Sequence, residues 1–303
     1  MYDTVLVPTD GSDHAIRAAE HGSYLALLFD ATVHVVTVGD VADVDHRVAG
    51  GDVEETTTDG ETPAAIDTEA SAAIDTVTGV LGETVEVETA VLEGTPEEAI
   101  LGYADENDID LLAMGTHGRT GVHRYVTGSV TESVVRHATA PVLTVRAVED
   151  SRVGGSYDDV LVPTDGSNEA GRAVEHGLAI AKAAGATVHV VNVVDVAGLG
   201  ASPEYTTPTS VLADLESSGE SAADAIADRA RDAGLEARTA VRHGSPGWEL
   251  LDYAEEFDVD LITMGTAGRS GIDRFLLGST TERLIRHADV PVVAVNAVNS
   301  GSE

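Results

Sequence analysis

The chain has 303 residues, too many for one small domain and suitable for two domains of about 150 residues each. Hydrophobic residues make up 43% of it and charged residues 23%, a balance that is typical of folded proteins and excludes wholesale disorder. The 53 acidic residues outnumber the 17 basic ones, and the resulting formal net charge of -36 argues against a nucleic-acid partner.

Other function classes are excluded by what the sequence lacks. There is no cysteine, which removes disulfides, thiolate zinc sites, iron–sulfur clusters and a cysteine nucleophile together. No stretch approaches the roughly 18 consecutive apolar residues of a membrane-spanning helix, so we expect no membrane association. The N-terminus has no basic segment, which argues against a signal peptide. We interpret the acidic excess in both halves as adaptation to a salt-rich cytoplasm, and hence as a sign of a halophilic origin.

The sequence consists of two similar copies. Residues 2–41 align without a gap with residues 157–196, at a constant offset of 155. Residues 109–116 align with residues 259–266 at an offset of 150, so the second copy is five residues shorter between these segments. A repeat of about 150 residues has the length of a domain and is too long for a solenoid unit.

A polar, glycine-containing segment separates the two copies. It covers residues 148–156 and has the composition of a short linker. We therefore predict a first domain at residues 1–147 and a second domain at residues 157–299.

Strands and helices alternate along each copy, which predicts two tandem α/β domains with parallel sheets covered on both faces. Val5-Leu6-Val7 is typical of a strand buried on both faces, and Ser12 is placed to cap the next helix. Thr95-Pro96-Glu97-Glu98 has the composition of a capping box. In chain order, the first copy is predicted to contain a strand at 5–7, a helix up to about 29, a strand at 32–38, a helix at about 63–80, a strand at 84–92, a helix from 96, a strand at 109–114, a helix at 129–138 and a strand at 141–146.

The last predicted strand of each domain presents an apolar sheet edge that needs a cover. These strands lie at residues 141–146 and 291–297. Pairing them within one chain would bury both edges in a two-fold arrangement. We therefore predict an internal pseudo-dimer through the last strands. Whether two chains also associate into a homodimer stays open.

Three loops of each copy follow strands, and open parallel sheets bind ligands at the carboxyl ends of their strands. In the first copy these loops cover residues 8–12, 38–40 and 115–129. The third loop has glycines after a strand and opens a helix at Gly128-Ser129, so backbone N–H groups and a helix N-terminus meet at one crevice. The second copy repeats this glycine spacing at 265–279. A tight strand-to-helix turn would explain one such loop, but the repetition favours a phosphate site.

Side chains in these loops have more than one candidate role. Asp10 could accept a hydrogen bond from a base or a ribose, or it could cap the helix that follows. Thr116, Ser129 and Thr131 could donate hydroxyl hydrogens to phosphate oxygens, although Ser129 could instead be a helix N-cap. Arg119 could neutralise phosphate in a chain with so few basic residues, with a solvated surface arginine as the alternative.

The motifs match a known family. Both copies contain Gly-x2-Gly-x9-Gly-Ser, at 115–129 and 265–279, and both have the sequence PTDGS, with Asp10 or Asp165, after the first strand. Both also end in Arg-His-Ala followed by Pro-Val. On these motifs the chain resembles a tandem universal stress protein of the ATP-binding type, almost from end to end. The resemblance implies two doubly wound domains, each with a five-stranded parallel sheet of order 3-2-1-4-5, and pairing of the two domains through their last strands.

The resemblance also implies ATP as the ligand, with Mg²⁺ on its phosphates as a further candidate, and adenine near the aspartate and the end of the second strand. The candidate binding residues of the first copy are Pro8, Thr9, Asp10, Val38, Gly115, Thr116, Gly118, Arg119, Gly128, Ser129, Val130 and Thr131. Those of the second copy are Pro163, Thr164, Asp165, Val193, Gly265, Thr266, Gly268, Arg269, Gly278, Ser279, Thr280 and Thr281.

We therefore predict a cytoplasmic stress-response regulatory protein that binds ATP or another adenine nucleotide and hydrolyses it slowly at most. The sequence contains no GxxxxGK[ST], GxSxG or HExxH motif, and we assign no catalytic residue and no metal ligand. His34 and His189 lie in apolar strands and are interpreted as structural histidines. Two alternatives stay open: a phosphoryl- or nucleotidyl-transfer enzyme on the same scaffold, and an interaction module that binds no nucleotide.

Overall fold

The computed structural model describes residues 1–39, 64–82, 85–117, 128–147, 156–167, 170–195, 209–266 and 277–296. In these ranges the first domain contains β1 (Thr4–Pro8), α1 (Asp13–Phe29), β2 (Thr32–Gly39), α2 (Ala64–Leu81), β3 (Val87–Glu93), α3 (Pro96–Glu106), β4 (Leu111–Gly115), α4 (Ser129–His137) and β5 (Val142–Val145). The second domain contains β6 (Asp159–Pro163), α5 (Ala170–Ala184), β7 (Thr187–Val194), α6 (Thr209–Asp232), β8 (Ala237–His243), α7 (Pro246–Glu256), β9 (Leu261–Gly265), α8 (Ser279–His287) and β10 (Val292–Val295). None of the helices in these ranges combines the length and the hydropathy that crossing a bilayer requires.

The helix starts follow the predicted caps in part. Ser12 is the N-cap of α1, and its hydroxyl oxygen accepts the backbone N–H of Ala15 at 3.3 Å. Thr95 is the N-cap of α3, but its side chain makes no hydrogen bond to the backbone of the helix, so the predicted capping box is wrong. Its hydroxyl donates instead to the carboxylate of Glu98 at 2.6 Å. A charged acceptor within reach makes the stronger hydrogen bond, so the side chains pair with each other and not with the helix backbone.

All ten strands of the described residues form one sheet, in the order β3-β2-β1-β4-β5-β10-β9-β6-β7-β8. Each domain therefore has the predicted order 3-2-1-4-5, and the strand pairs within each domain are parallel. The last strands, β5 and β10, pair antiparallel, with Leu143 opposite Val293. The hydroxyl of Thr144 adds a hydrogen bond to the carbonyl of Val292 at 3.1 Å. The internal pairing that the apolar edges predict is thus present in the sheet.

The sheet is covered on both faces by separate cores. Successive side chains of β1 point to opposite faces, so Val5 and Val7 join the core under α1 and α2, whereas Leu6 joins the core under α3 and α4. All three side chains are fully buried. Burying an aliphatic side chain of this size contributes roughly 1.5–3 kcal/mol, which explains why the strand is apolar on both faces.

Two tyrosine–histidine pairs cross the domain boundary on the α1 face. A hydrogen bond of 2.8 Å joins the hydroxyl of Tyr2 to Nδ1 of His176, and one of 2.9 Å joins the hydroxyl of Tyr157 to Nδ1 of His21. The rings of each pair are stacked, with interplanar angles of 13° and 4°. Burial raises the pKa of both tyrosines and lowers the pKa of His176 to about 4, so the Tyr2–His176 pair is neutral near pH 7.

The two pairs differ in burial, which allows a matched test. Tyr157 and His21 are both buried, whereas His176 is partly exposed and can exchange its partner for water. We expect Tyr157→Phe to lower the free energy of unfolding by about 1–3 kcal/mol, because a buried polar atom loses its partner. The matched variant Tyr2→Phe should lower the free energy of unfolding by less, because water can replace the hydroxyl as the partner of His176. Chemical denaturation of both variants checks this, and an equal or reversed ranking would contradict it.

The charge imbalance predicts that stability depends on salt. Ion pairs such as Arg17–Glu20 and Arg231–Asp228 join neighbours on one helix and contribute little. Repulsion among the remaining carboxylates is long-ranged and is weakened by screening. We expect the melting temperature to rise steadily between about 0.2 M and about 3 M KCl. A flat or falling curve would show that self-repulsion does not limit the stability of this fold.

Candidate functional site

A cavity of about 350 Å³ opens at the carboxyl ends of β1, β2 and β4 in the first domain. It brings together nine of the candidate residues, namely Pro8, Thr9, Asp10, Val38, Gly115, Gly128, Ser129, Val130 and Thr131. The cavity is also lined by residues that were not among the candidate binding residues, namely Ala15, Val36, Thr37, Pro96, Ile100, Met114 and His117. Gly118 and Arg119 lie outside the described residues.

The turn after β1 holds Asp10 at the cavity. The backbone N–H of Thr9 donates to the carbonyl of Val36 at 2.8 Å, which ties the turn to β2. The carboxylate of Asp10 accepts the N–H of Ser12 at 3.0 Å. The N-cap of α1 is Ser12, so the alternative role of Asp10 as the helix cap is wrong. The Asp10 side chain is half-buried and lines the cavity, where it could also accept a hydrogen bond from a ligand.

The N-terminus of α4 forms another wall of the cavity. Gly128 is the N-cap, so the alternative assignment of Ser129 as the N-cap is wrong, and Ser129 is the exposed first residue of the helix. The N–H of Gly128 donates to the carbonyl of Thr116 at 2.6 Å and fixes the start of the helix. The first-turn amides of a helix have no acceptor within it, and they form the positive end of its dipole. The residues that carry these amides, Ser129 to Thr131, line the cavity, so this wall is suited to an anion.

Two of the predicted hydroxyl donors are engaged inside the protein. The hydroxyl of Thr131 donates to the carbonyl of Gly115 at 2.7 Å, and that of Thr116 lies 3.0 Å from Nδ1 of His117. Both threonines are buried, and buried hydroxyls take the nearest internal partner. Both hydroxyls thus already have an internal partner, and their donation to phosphate stays a prediction. Ser129 keeps an exposed hydroxyl at the cavity.

Gly115 has a steric role that the glycine motif did not reveal. A Cβ atom at this position would lie 2.7 Å from the backbone carbon of His14, in the first turn of α1. Contacts this short do not occur between non-bonded carbons, so only glycine lets α1 approach the end of β4. The first glycine of the motif thus sets the position of a helix, whether or not it also contacts a ligand.

A histidine pair lies beside the cavity. The rings of His14 and His117 are 5.0 Å apart, and Nδ1 of His14 accepts the N–H of Ala147 at 2.9 Å. Burial, the neighbouring His117 and the Arg146 guanidinium lower the pKa of His14. His14 was not predicted as a site residue because it stands in a helix, outside the loops that follow strands.

The second domain repeats this framework. The N–H of Gly278 donates to the carbonyl of Thr266 at 2.8 Å, and the hydroxyl of Thr281 donates to the carbonyl of Gly265 at 2.9 Å. Asp165 accepts the N–H of Ser167 at 2.9 Å. The remaining described candidates take the corresponding places: Pro163 ends β6, Thr164 follows it, Val193 lies near the end of β7, and Ser279 and Thr280 open α8. Gly268 and Arg269 lie outside the described residues.

The structural histidines behave as the sequence predicts. Nδ1 of His34 lies 3.0 Å from the hydroxyl of Tyr103. Nδ1 of His189 lies 2.9 Å from the hydroxyl of Tyr253, and its Nε2 lies 2.7 Å from the carboxylate of Asp159. Both histidines are thus held by partners within their own domains.

Comparison with known proteins identifies the family. A sequence model described as the universal stress protein family matches residues 1–146 and 156–296. Universal stress protein MJ0531 of Methanocaldococcus jannaschii is 35% identical over 139 residues, which is 46% of this chain and 82% of that protein.

Solved structures show the same fold over the full length. The crystal structure of a universal stress protein from Archaeoglobus fulgidus DSM 4304 has a TM-score of 0.71 at 22% identity, and the match covers 98% of this chain and 99% of that chain. A putative universal stress protein from Pseudomonas aeruginosa UCBPP-PA14 has a TM-score of 0.64 at 16% identity, covering 97% and 93%. The chain belongs to the universal stress protein family, with two of the family's domains in tandem.

Proposed function

We propose that this stress-response protein binds an adenine nucleotide, ATP first of all, in the first-domain cavity and at the corresponding place in the second domain. The observation that carries the proposal is the meeting of Asp10, Val38 and the N-terminus of α4 around one cavity. Mg²⁺ would be carried on the phosphates. A regulatory role in a salt-rich cytoplasm fits the charge of -36.

The size of the cavity and the distribution of its walls support a nucleotide. Its volume of about 350 Å³ falls within the range of small-molecule sites. Apolar side chains of one core line the cavity, among them Val38, Ile100 and Met114, and they are suited to a flat base. The half-buried carboxylate of Asp10 can accept a hydrogen bond from an amino or hydroxyl group, and the first turn of α4 can bind phosphate oxygens. Because the apolar lining suits the base and the start of α4 suits the phosphates, the nucleotide would bind in one orientation.

A phosphoryl- or nucleotidyl-transfer enzyme is the alternative, since His117 lines the same cavity and an imidazole can move a proton. Steady ATP turnover under saturating Mg²⁺ in molar KCl, lost in His117→Asn, would favour the enzyme. Binding without turnover favours the regulatory protein. An interaction module would bind no nucleotide at all.

A charge placed at the start of α4 tests the proposed site. Ser129→Asp puts a carboxylate where phosphate should bind, and we expect the affinity of this cavity for ATP to fall about tenfold or more by charge repulsion. The same carboxylate is favourable at a helix N-terminus, so the melting temperature should be unchanged or slightly raised. Isothermal titration calorimetry measures the affinity. Ser279→Asp is the matched variant for the second domain.

The control is Ser218→Asp, an equal change in charge at an exposed position of α6. It should bind ATP like the unmodified chain. If ATP binds with unchanged affinity and stoichiometry in Ser129→Asp, the first turn of α4 is not the phosphate site.

A further inference from the structure

The helix that opens at the first-domain cavity ends against the second domain. α4 runs from Ser129, in the cavity wall, to its C-cap at Ala138. Asn296 follows β10 in the second domain, and its side-chain amide donates to the carbonyls of Val135 at 2.9 Å and Ala138 at 2.8 Å. The last carbonyls of a helix have no donor within it. Asn296 therefore caps α4 from across the domain boundary.

The carbonyl oxygen of the same amide group is held by Thr266, which follows β9 in the second domain. The hydroxyl of Thr266 donates to Oδ1 of Asn296 at 2.5 Å. The carbonyl of Thr266 accepts the N–H of Gly278, the N-cap of α8, at 2.8 Å. Hydrogen bonds thus connect the N-terminus of α8 to Thr266, then to Asn296, and then to the C-terminus of α4. Because α4 has nine residues and is only about 13 Å long, a shift at its C-terminus moves its first turn as well.

The corresponding residue of the first domain also caps a helix of the other domain, but among the described residues it makes no hydrogen bond like that between Thr266 and Asn296. Arg146 stands where the second domain has Asn296, and its guanidinium donates to the carbonyl of Ala288, the C-cap of α8, at 3.2 Å. The hydroxyl of Thr116 there lies beside His117, at 3.0 Å from its Nδ1. A guanidinium has donors only, so it cannot accept a hydroxyl hydrogen as the Asn296 carbonyl does.

We propose that Asn296 couples the two nucleotide sites: occupancy of the second-domain site sets the α4 cap through Thr266 and Asn296 and so changes the nucleotide affinity of the first-domain cavity. Asn296 acts here as a positioning residue that touches no nucleotide itself. The proposal rests on the proposed function, since it requires a nucleotide at both helix N-termini. By linkage, occupancy of the first-domain site changes the affinity of the second by the same factor.

Site-specific titration by NMR tests the coupling. The full chain is titrated with Mg²⁺-ATP in molar KCl, with the amide of Val130 reporting the first site and that of Thr280 the second. The first-site affinity is compared between the unmodified chain and Ser279→Asp, in which the second site is expected to bind ATP about tenfold or more weakly and so to stay largely empty while the first site fills. We expect the two affinities to differ by about fivefold or more, and the difference to vanish when Asn296→Arg is added to both chains.

Asn296→Arg introduces the residue that the first domain uses as its cap, so the capping donor is kept while the acceptor for Thr266 is lost. Thr266→Val removes the hydroxyl with little change of shape and should uncouple the sites in the same way, and Thr266→Ser should restore the coupling. Thr144→Val is the matched control, because it breaks a hydrogen bond between the domains that lies off this path. It should leave the fivefold difference in place.

Two results overturn the coupling: equal first-site affinities in the unmodified chain and in Ser279→Asp, or a difference that persists in both Asn296→Arg and Thr266→Val. Binding at both sites without coupling leaves the proposed function standing. If neither Val130 nor Thr280 responds to ATP, the proposed function fails, and the coupling fails with it.

Discussion

The strand order of each domain reverses at its first strand, and the candidate site follows from that reversal. β2 and β3 are added on one side of β1, and β4 and β5 on the other. The crossover helices therefore separate, with α1 and α2 on one face and α3 and α4 on the other. Between the carboxyl ends of β1 and β4 no crossover can cover the sheet, and a crevice is left. The loop after β1 and the start of α4 meet there, and Gly115 lets α1 pack close beside them.

Antiparallel pairing of β5 with β10 joins the two domains into one sheet and determines which groups meet at the boundary. On one face it brings the tyrosine–histidine pairs together, and on the other it places Arg146 and Asn296 at the ends of α8 and α4. Apolar strands and neutral hydrogen bonds are little affected by salt, whereas exposed ion pairs are screened. The boundary also contains the ion pair of Arg146 with the exposed carboxylate of Asp289, at 3.2 Å, so the strand pairing and the neutral hydrogen bonds are the contacts that screening leaves in place.

Sequence patterns predicted most of the fold because the decisive features are local or repeated. Apolar runs located the strands, Ser12 located the start of α1, and the uncovered edges of the last strands indicated their pairing. The repeat itself held a further signal. Tyr2 and His21 recur at the offset of 155 as Tyr157 and His176, and a tyrosine and a histidine that are both repeated in the two copies are candidates for a contact between them.

Side-chain partners were less predictable, because burial decides them after the chain has folded. Thr116 and Thr131 have the residue type of a phosphate donor, but their hydroxyls are bonded inside the protein. Gly115 fits a phosphate motif, yet the constraint on it is the backbone of His14, about a hundred residues away in sequence. The same limit applies to Asn296, whose partners Val135 and Ala138 belong to the other domain.

The most direct measurement is the identity of any small molecule that stays with the protein through purification. The chain is purified in molar KCl with no added nucleotide, denatured, and the released molecules are identified by mass spectrometry. We expect an adenine nucleotide from the unmodified chain and less of it from Ser129→Asp, because the first-domain cavity loses its phosphate site. Empty sites after purification, together with no binding when ATP is added back, would show that this protein does not bind an adenine nucleotide.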